Sequence, residues 1–246
     1  MAFNSNRSGN TTNGRPISFS GNPCPRDLST WANDLYANTG FLMRLMAKYR
    51  PRICPFHLLV AEINPGMSVL DIGCGNGLLL TLLARCSRLR EGIGVDSSRA
   101  AIGVANRVLH RLRCNLSEAR LRFEHLNVGQ PWPEGLFDAV LLVDVLHHIP
   151  PASQRKVFHD AARKVKGGGK FIYKDLSARP FLCGAMNRLH DLLLARQWVH
   201  YTPVELVEQW AQEEGLELAE TRDIRMLWYQ HQIRIFARVP RVRQQS

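Results

Sequence analysis

The apolar positions along the chain follow three successive rhythms. Residues 1–16, MAFNSNRSGNTTNGRP, carry no periodic apolar face and are rich in Asn, Ser, Gly and Thr, the composition of a disordered arm. Next, LSTWANDLYANTGFLMRLMAKYR spaces aromatic and aliphatic residues three and four apart, which predicts one or two helices with Ser29 or Thr30 as a cap. CPFHLLVAEINPG predicts another, closed by Pro65 and Gly66. Together these segments define an N-terminal helical cap over residues 17–65.

From Met67 short apolar runs alternate with helical patterns. SVLDIG reads as a strand and LLLTLLARC as a buried helix. GIGVD is a strand ending in an acid, and SSRAAIGVANRVLHRL is a helix opened by Ser97 or Ser98. LRFEHLNV alternates like a strand, FDAVLLVDVLHHI is apolar on both faces, SQRKVFHDAARKV is an amphipathic helix, and GGGKFIYKDL is turn and strand. Strands separated by helices, some with no polar face, specify a parallel sheet covered on both sides. The end differs. TPVELVEQWAQEEG carries Thr202 as a cap, Pro203 at the first helical position, Glu205 to complete a capping box and Gly215 as a stop. LELAETRDIRMLWYQHQIRIFARV then gives two strands with no helix between them, which pair only as a hairpin, so the sheet finishes antiparallel. The fold class expected is α/β.

Composition narrows the classes. A chain of 246 residues with 45% hydrophobic and 22% charged residues is that of a globular protein with a full core. No run approaches the ~18 apolar residues of a membrane span. The N-terminus lacks the apolar region of a secretory signal. Six cysteines are scattered with no Cys-x-x-Cys pair, which suggests neither a zinc knuckle nor a disulfide framework and fits a reducing cytoplasm. No metal is expected. The net charge of +11 raises nucleic acid or an acidic carrier protein as a partner. Arginines concentrate between Arg85 and Arg122 and in the stretch RIFARVPRVR, but neither is interleaved with the aromatics that single-strand binders use.

The stretch VLDIGCGNGLLL passes from strand to helix through an acid and three glycines. In an open parallel sheet ligands bind beyond the carboxyl ends of the strands. Glycines let a ligand approach the main chain, and the amides of the following helix favour an anion. Dinucleotides use G-x-G-x-x-G, whereas Gly73, Gly75 and Gly77 give G-x-G-x-G, and no Lys-Ser or Lys-Thr follows to make a phosphate loop. An acid followed by such amides suits a zwitterion, Asp71 facing an ammonium and the backbone a carboxylate. S-adenosylmethionine carries both groups and a ribose. Asp96 closes the next strand about twenty residues on, as one strand–helix–strand step requires, and faces the ribose. Asn127 is placed to hold the adenine edge. Asp144 lies beside the ligand at the end of the fourth strand.

VLDIGCGNG, GVDSS, LNVGQPWPEGLFDAVLLVDVLHHI and VKGGGKFIYKDL resemble the successive motifs of class I S-adenosylmethionine-dependent methyltransferases over residues 66–176. The resemblance implies a Rossmann-like, seven-stranded, mostly parallel sheet with an antiparallel terminal strand. It implies Asp71, Gly73, Cys74, Gly75, Asn76 and Gly77 around the methionine end, Asp96 and Ser97 at the ribose, and Asn127 and Val128 near adenine. Asn127 departs from the acid common there. No Asn-Pro-Pro-Tyr or Asp-Pro-Pro-Tyr follows the fourth strand, which speaks against the family's amino-methylating DNA enzymes. Residues 66–246 would form the methyltransferase domain, with a lid insertion at about 178–201.

Methyl transfer from a sulfonium is an in-line displacement to which positioning contributes about 7–11 kcal/mol, and a base is needed only when the nucleophile must lose a proton. Candidate bases are His147 and His148, of which adjacent spacing admits one, and Lys174 at the end of the fifth strand. The segment MNRLHDLLLARQWVHYTP aligns Asn187, His190, Asp191, Leu194, Trp198 and Tyr201 on one helical stripe, a polar and aromatic lid face on which His190 and His200 are further candidates. A small aromatic or polyketide-like acceptor methylated on oxygen or carbon is the first reading. Methylation of RNA or of a carrier-bound acceptor is the second, and a non-catalytic cofactor-binding scaffold the third.

Overall fold

The computed structural model describes residues 22–112, 119–127, 130–177, 200–227 and 229–240. Three helices come first: α1 (Pro25–Leu35), α2 (Phe41–Ile53) and α3 (Phe56–Ala61). They are followed by β1 (Met67–Ile72), α4 (Leu78–Arg85), β2 (Leu89–Asp96), α5 (Arg99–Leu112), β3 (Arg120–His125) and β4 (Phe137–Val143). A 3-10 turn at Leu146–His148 leads to α6 (Pro151–Ala162), β5 (Val165–Leu176), α7 (Val204–Glu213), β6 (Leu216–Met226) and β7 (Tyr229–Arg238). The strands form one seven-stranded sheet in the order β3-β2-β1-β4-β5-β7-β6. The first five strands run parallel, and β7 lies antiparallel between β5 and β6.

The unbroken apolar run of β4 has a simple cause. Ala139 and Leu141 join a core shared with α1, α3, α4 and α5, while Val140 and Leu142 join a second core with α6 and α7 on the other face. Each such side chain contributes about 1.5–3 kcal/mol by leaving water, so both faces of the centre are specified. The N-terminal helices enter the first core directly: Leu28, Trp31 and Tyr36 of the α1 region and Phe56, Leu59 and Val60 of α3 pack with Val69, Leu79 and Leu83.

Two helix starts differ from their expected caps. α1 begins at Pro25, and Cys24 and Asp27 form its capping box, so Ser29 and Thr30 lie inside the helix. The Ser29 hydroxyl donates to the Lys48 carbonyl of α2 and that of Thr30 to Arg26. Thr202 is not a cap either: its hydroxyl donates to the Gln154 side chain, and Pro203 precedes the first turn of α7 without a side-chain cap. Ser98 does cap α5, accepting from the Ala101 amide. Gly215 ends α7 in the left-handed conformation, as its position predicts.

The basic stretch RIFARV is largely internal. Arg234 is buried in β7 between Glu208 and Asp223, and Arg238 donates to the carbonyls of Glu214 and Ala162. These arginines hold the antiparallel end of the sheet to α6 and α7. Among the described residues no helix is long and apolar enough to cross a membrane.

Candidate functional site

The carboxyl ends of β1, β2 and β4 open onto the loop between β1 and α4. Gly73, Gly75 and Gly77 all have positive φ, at 71°, 55° and 79°. A Cβ on Gly73 would run into Val145, and one on Gly77 would lie 2.6 Å from the Phe123 ring, so backbone shape and close packing both require glycine there. Most of the loop's amides are engaged. Those of Gly73 and Cys74 donate to the Val95 carbonyl, that of Gly75 to Asp96 and that of Gly77 to Cys74. The amides of Asn76 and Leu78 donate to no acceptor among the described residues and remain to meet an anion at the start of α4.

Asp71 is buried, lines the cavity in front of this loop and makes no side-chain hydrogen bond among the described residues. Burial, with the Asp96 charge beside it, pushes its carboxyl up to about 8. Asp96 is set differently: one oxygen accepts from the Gly75 amide at 2.8 Å and the other from the Ser98 amide at 2.7 Å. Each oxygen keeps a further lone pair for a ligand hydroxyl. Asp96 therefore fixes the loop to β2 as well as facing the site.

Two cavities share Gly73, Asp96, Asp144 and His148 in their walls. The first, about 330 Å³, is lined by Asp71, Cys74, Gly75 and Asn76 of the loop and by Met46, Ala47 and Arg50 of α2. The second, about 360 Å³, is lined by Ser97, Leu126, Asn127 and Trp132. Gly77 lines neither; its place is to start α4. Val128 lies outside the described residues. The first cavity thus carries an acid without a hydrogen-bond partner among the described residues and free amides, and the second joins apolar side chains such as Leu126 and Trp132 to Asp96, Ser97 and the exposed amide side chain of Asn127. A zwitterion joined to a ribose and a purine fits that donor set.

The N-terminal helices hold the loop from above. Tyr36 is buried and donates its hydroxyl to the Asn76 carbonyl at 2.7 Å, while the Asn76 side-chain amide contacts Met43 sulfur. Arg50 reaches from α2 to Asp144 at 2.7 Å. Tyr36 is among the aromatics of the N-terminal helices expected to complete the cover of the site, whereas no site role for Arg50 follows from the pattern of the chain, because only folding brings α2 over the sheet.

Beyond β4 the chain turns sharply. Asp144 has a φ of 56°, rare for a residue with a side chain, and its amide donates to the Lys174 carbonyl. Its carboxylate takes Lys174 Nζ at 2.5 Å as well as Arg50. Burial alone would raise this acid, but Lys174 and Arg50 outweigh it and hold the carboxyl well below the usual range. Lys174 is thus a wholly buried ion-pair partner rather than a free amine, which removes it from the candidate bases.

The 3-10 turn brings His147 and His148 to one small compartment of about 80 Å³, and of the two only His148 also lines the two cofactor-side cavities. His147 is buried, pairs through Nδ1 with Asp175 and stacks 5.8 Å from the Tyr201 ring. His148 is exposed and lies 4.0 Å from the His147 ring, at the meeting point of all three cavities. Gln154 donates to the carbonyls of Leu146, Ile149 and His200 and so ties the turn to the start of the α7 segment. His200 is exposed, with its amide on the His147 carbonyl. His190 and the stripe from Asn187 to Trp198 lie outside the described residues. Among the described residues no cluster of His, Cys, Asp and Glu could hold a metal ion.

A family model described as a methyltransferase domain matches residues 45–221. A ubiquinone biosynthesis O-methyltransferase of Alkalilimnicola ehrlichii is 33% identical over 168 residues, 65% of this chain and 64% of the relative. The protein of the same name from Pseudomonas aeruginosa is 31% identical over 163 residues, 63% of this chain and 66% of the relative. The match spans just under two thirds of the length of these curated relatives. Among solved structures, magnesium protoporphyrin IX methyltransferase from Synechocystis PCC 6803 with bound SAH superposes with a TM-score of 0.61 at 21% identity, covering 83% of this chain and 91% of that one. An O-methyltransferase family protein from Burkholderia thailandensis superposes at 0.62 with 21% identity, covering 85% of this chain and 63% of that one. At these identities the likeness is one of fold.

Proposed function

The chain belongs to the class I S-adenosylmethionine-dependent methyltransferases, and on that premise we propose that it methylates an oxygen nucleophile of a small, conjugated or aromatic acceptor. The observation that carries this reading is the position of His148, shared by the walls of the two cofactor-side cavities and the polar compartment behind them. The names of the curated relatives support transfer to oxygen.

When bound, S-adenosylmethionine supplies an activated methyl group. Asp71 receives the ammonium, the Asn76 and Leu78 amides the carboxylate, Asp96 and Ser97 the ribose, and Leu126, Asn127 and Trp132 the base. Cys74 and Gly75 wall the methionine side. An acceptor hydroxyl next to His148 can pass its proton to the imidazole. The buried His147–Asp175 pair sets the turn that presents His148. Such a base contributes about 10²–10⁴-fold.

The test is transfer of a deuterated methyl group from S-adenosylmethionine to a panel of phenols and enols, with tRNA and an acidic carrier protein as separate arms. Labelled small-molecule ether, with His148→Ala lowering kcat at least a hundredfold and leaving SAH affinity within threefold, supports the reading. Label in RNA or carrier protein alone overturns it in favour of the second class, and saturable SAH binding with no transfer to any arm overturns it in favour of a scaffold.

A further inference from the structure

Helix α2 turns its large apolar side chains outward. Its inner face buries only Ala47 and Pro51, two small side chains. On its outer face Phe41 is 80% exposed and Leu42 67%, with Leu45, Met46 and Tyr49 exposed beside them. Five of the ten exposed large apolar side chains among the described residues therefore stand on this one helix. Single exposed apolar residues are ordinary on a protein surface, whereas a contiguous group marks a contact. At 3.6 residues per turn Phe41, Leu45, Tyr49, Leu42 and Met46 follow one another around an arc of about 140°, so they form one stripe.

Cations border that stripe. α2 contains Arg44, Lys48, Arg50 and Arg52 and no acid. Arg50 reaches Asp144 and takes no part. Arg52 is exposed within the arc, and Lys48 and Arg44 follow along one edge of it. Lys48 Nζ and the Arg52 guanidinium stand 5.6 Å and 5.4 Å from the centre of the Tyr49 ring, so both charges gather at the middle of the stripe. Arg44 donates to the neutral side chain of Asn33. Among the described residues none of Arg44, Lys48 and Arg52 forms an ion pair. On the neighbouring α1, Arg26 stands with Asp27 and Asp34, which leaves the two helices together positive even with Arg50 set against Asp144.

The charge chooses among occupants. A second copy of this chain, seated on the stripe about a two-fold axis, would bring two sets of these cations together. The partner is therefore anionic. An outward apolar stripe of Phe, Leu and Met, a basic border and a tyrosine beside it make up a helix that lies in the surface of a lipid bilayer. Lipid moulds around side chains that project from a helix, whereas a folded acidic protein needs a groove of matching shape.

We infer that the outer face of α2 is a docking surface for an anionic phospholipid bilayer. Phe41, Leu42, Leu45 and Met46 enter the boundary between headgroups and acyl chains, and Arg44, Lys48 and Arg52 meet lipid phosphates. Met46 also lines the first cofactor-side cavity, so docking sets that cavity beside the bilayer. The inference goes beyond the functional reading above and does not depend on which acceptor is methylated. One cation near an anionic membrane strengthens binding about fivefold, and three about a hundredfold.

The experiment is sedimentation of the full chain with vesicles of phosphatidylcholine alone or with about 30% phosphatidylglycerol, at about 0.05 M and about 0.5 M salt. The variants are Phe41→Ser with Leu42→Ser and Leu45→Ser, Lys48→Glu with Arg52→Glu, and, as a control of equal charge, Arg107→Glu with Arg111→Glu at exposed positions of α5. Binding to the phosphatidylglycerol vesicles at least about tenfold tighter than to phosphatidylcholine, and weaker at the higher salt, is expected. The serine variant and the α2 charge reversal should each weaken it at least about tenfold, and the α5 reversal less than about threefold. All variants should keep the parent's Tm and SAH affinity, which separates loss of the surface from loss of the fold. If the serine variant does not fold, the two charge reversals and the lipid comparison still decide the matter. No vesicle binding, equal binding to both lipids, equal loss in the two charge reversals, or undiminished binding in a folded serine variant overturns the inference. A dimer that dissociates in the serine variant, without vesicle binding, overturns it in favour of a second copy, and capture of an acidic carrier protein without vesicle binding overturns it in favour of a protein partner.

Discussion

Asp71 makes cofactor binding a proton-linked event. Its carboxyl is buried without a hydrogen-bond partner among the described residues and sits at about 8, while the ligand's ammonium must find it ionised. At pH 6 only about one carboxyl in a hundred is ionised, against about half at pH 8. The ammonium of SAH belongs to a free amino acid, beside a carboxylate rather than a peptide bond, and stays protonated over that interval. Affinity should therefore fall about fiftyfold from pH 8 to pH 6, or about 2.3 kcal/mol of binding free energy. Loss of the ammonium proton weakens binding only at more alkaline pH, so affinity peaks above pH 8. The linked protons follow the same rule. Binding at pH 7 should release about 0.9 proton, and the release should fade as pH rises past 8, where the carboxylate is already bare.

Titration of SAH by calorimetry in two buffers of different ionisation enthalpy at each pH reads both quantities. Asp71→Asn is the control: it keeps the shape, removes the titration, and should abolish the acid limb and the proton release while leaving the alkaline limb. Zero proton exchange at pH 7, or an acid limb that survives Asp71→Asn, refutes the assignment of Asp71 to the ammonium. The same shift has a sign for stability. A raised carboxyl favours the folded state below the unfolded value near 4, and that contribution is lost as pH rises towards 8. Asp71→Asn should therefore raise the Tm of the ligand-free protein more at pH 9 than at pH 5.

Gly77→Ala should destabilise the fold by at least about 1–2 kcal/mol from the left-handed backbone alone, with more from the clash at Phe123, and Phe123→Leu in the same chain should restore part of it; urea denaturation measures both. Tyr36→Phe removes one buried hydrogen bond, so a loss of about 1 kcal/mol is expected, and because that bond holds the Asn76 carbonyl, SAH affinity should fall as well. Asp144→Ala leaves Lys174 buried without its counter-charge and should cost about 3–5 kcal/mol, whereas Asp144→Ala with Lys174→Met should recover a good part of that in a double-mutant cycle. With its carboxyl held low, Asp144 stabilises the protein above the unfolded value near 4, and this is lost as pH falls further. The parent should accordingly lose more stability between pH 5 and pH 2 than Asp144→Asn does.

What could be read from the chain and what could not divides along contact distance. The glycine loop was legible because it is local: an apolar strand, an acid, glycines at fixed spacing and a buried helix occupy twelve consecutive residues, and Asp96 follows one strand–helix–strand step later. The hairpin of β6 and β7 was legible for the same reason, since no helix separates its strands. Caps were less secure. A hydroxyl before a helix can bond elsewhere, as Thr202 does to Gln154, and a pattern of residue types does not say which partner lies in reach. The 3-10 turn at Leu146–His148, where strand alternation does not hold, was not legible from residue types. The left-handed backbone at Asp144 that ends the strand has no sequence signature, being a position where most residues would be glycine.

The polar compartment behind His148 was not legible, because its residues come from distant parts of the chain. Arg50 stands on α2 and Cys54 just past its end, Asp144 and His148 after β4, Lys174 on β5 and His231 on β7, so positions 50 and 231 mark the ends of the cluster. None is within a turn of another element's partner in sequence, and their meeting depends on the β5–β7 register and on α2 lying over the sheet. A one-residue slip of β7 would turn His231 to the opposite face. The cofactor cradle, by contrast, is held by bonds from the Gly73 and Cys74 amides to the Val95 carbonyl and from the Gly75 amide to the Asp96 carboxylate, none of which uses a side chain of that cluster. Asp144 joins the two regimes, as it borders both cofactor-side cavities and anchors the Arg50–Lys174 pair. Substitution at Asp144 should thus weaken SAH binding and loosen the packing of α2 over the sheet together, read by calorimetry and by thermal denaturation.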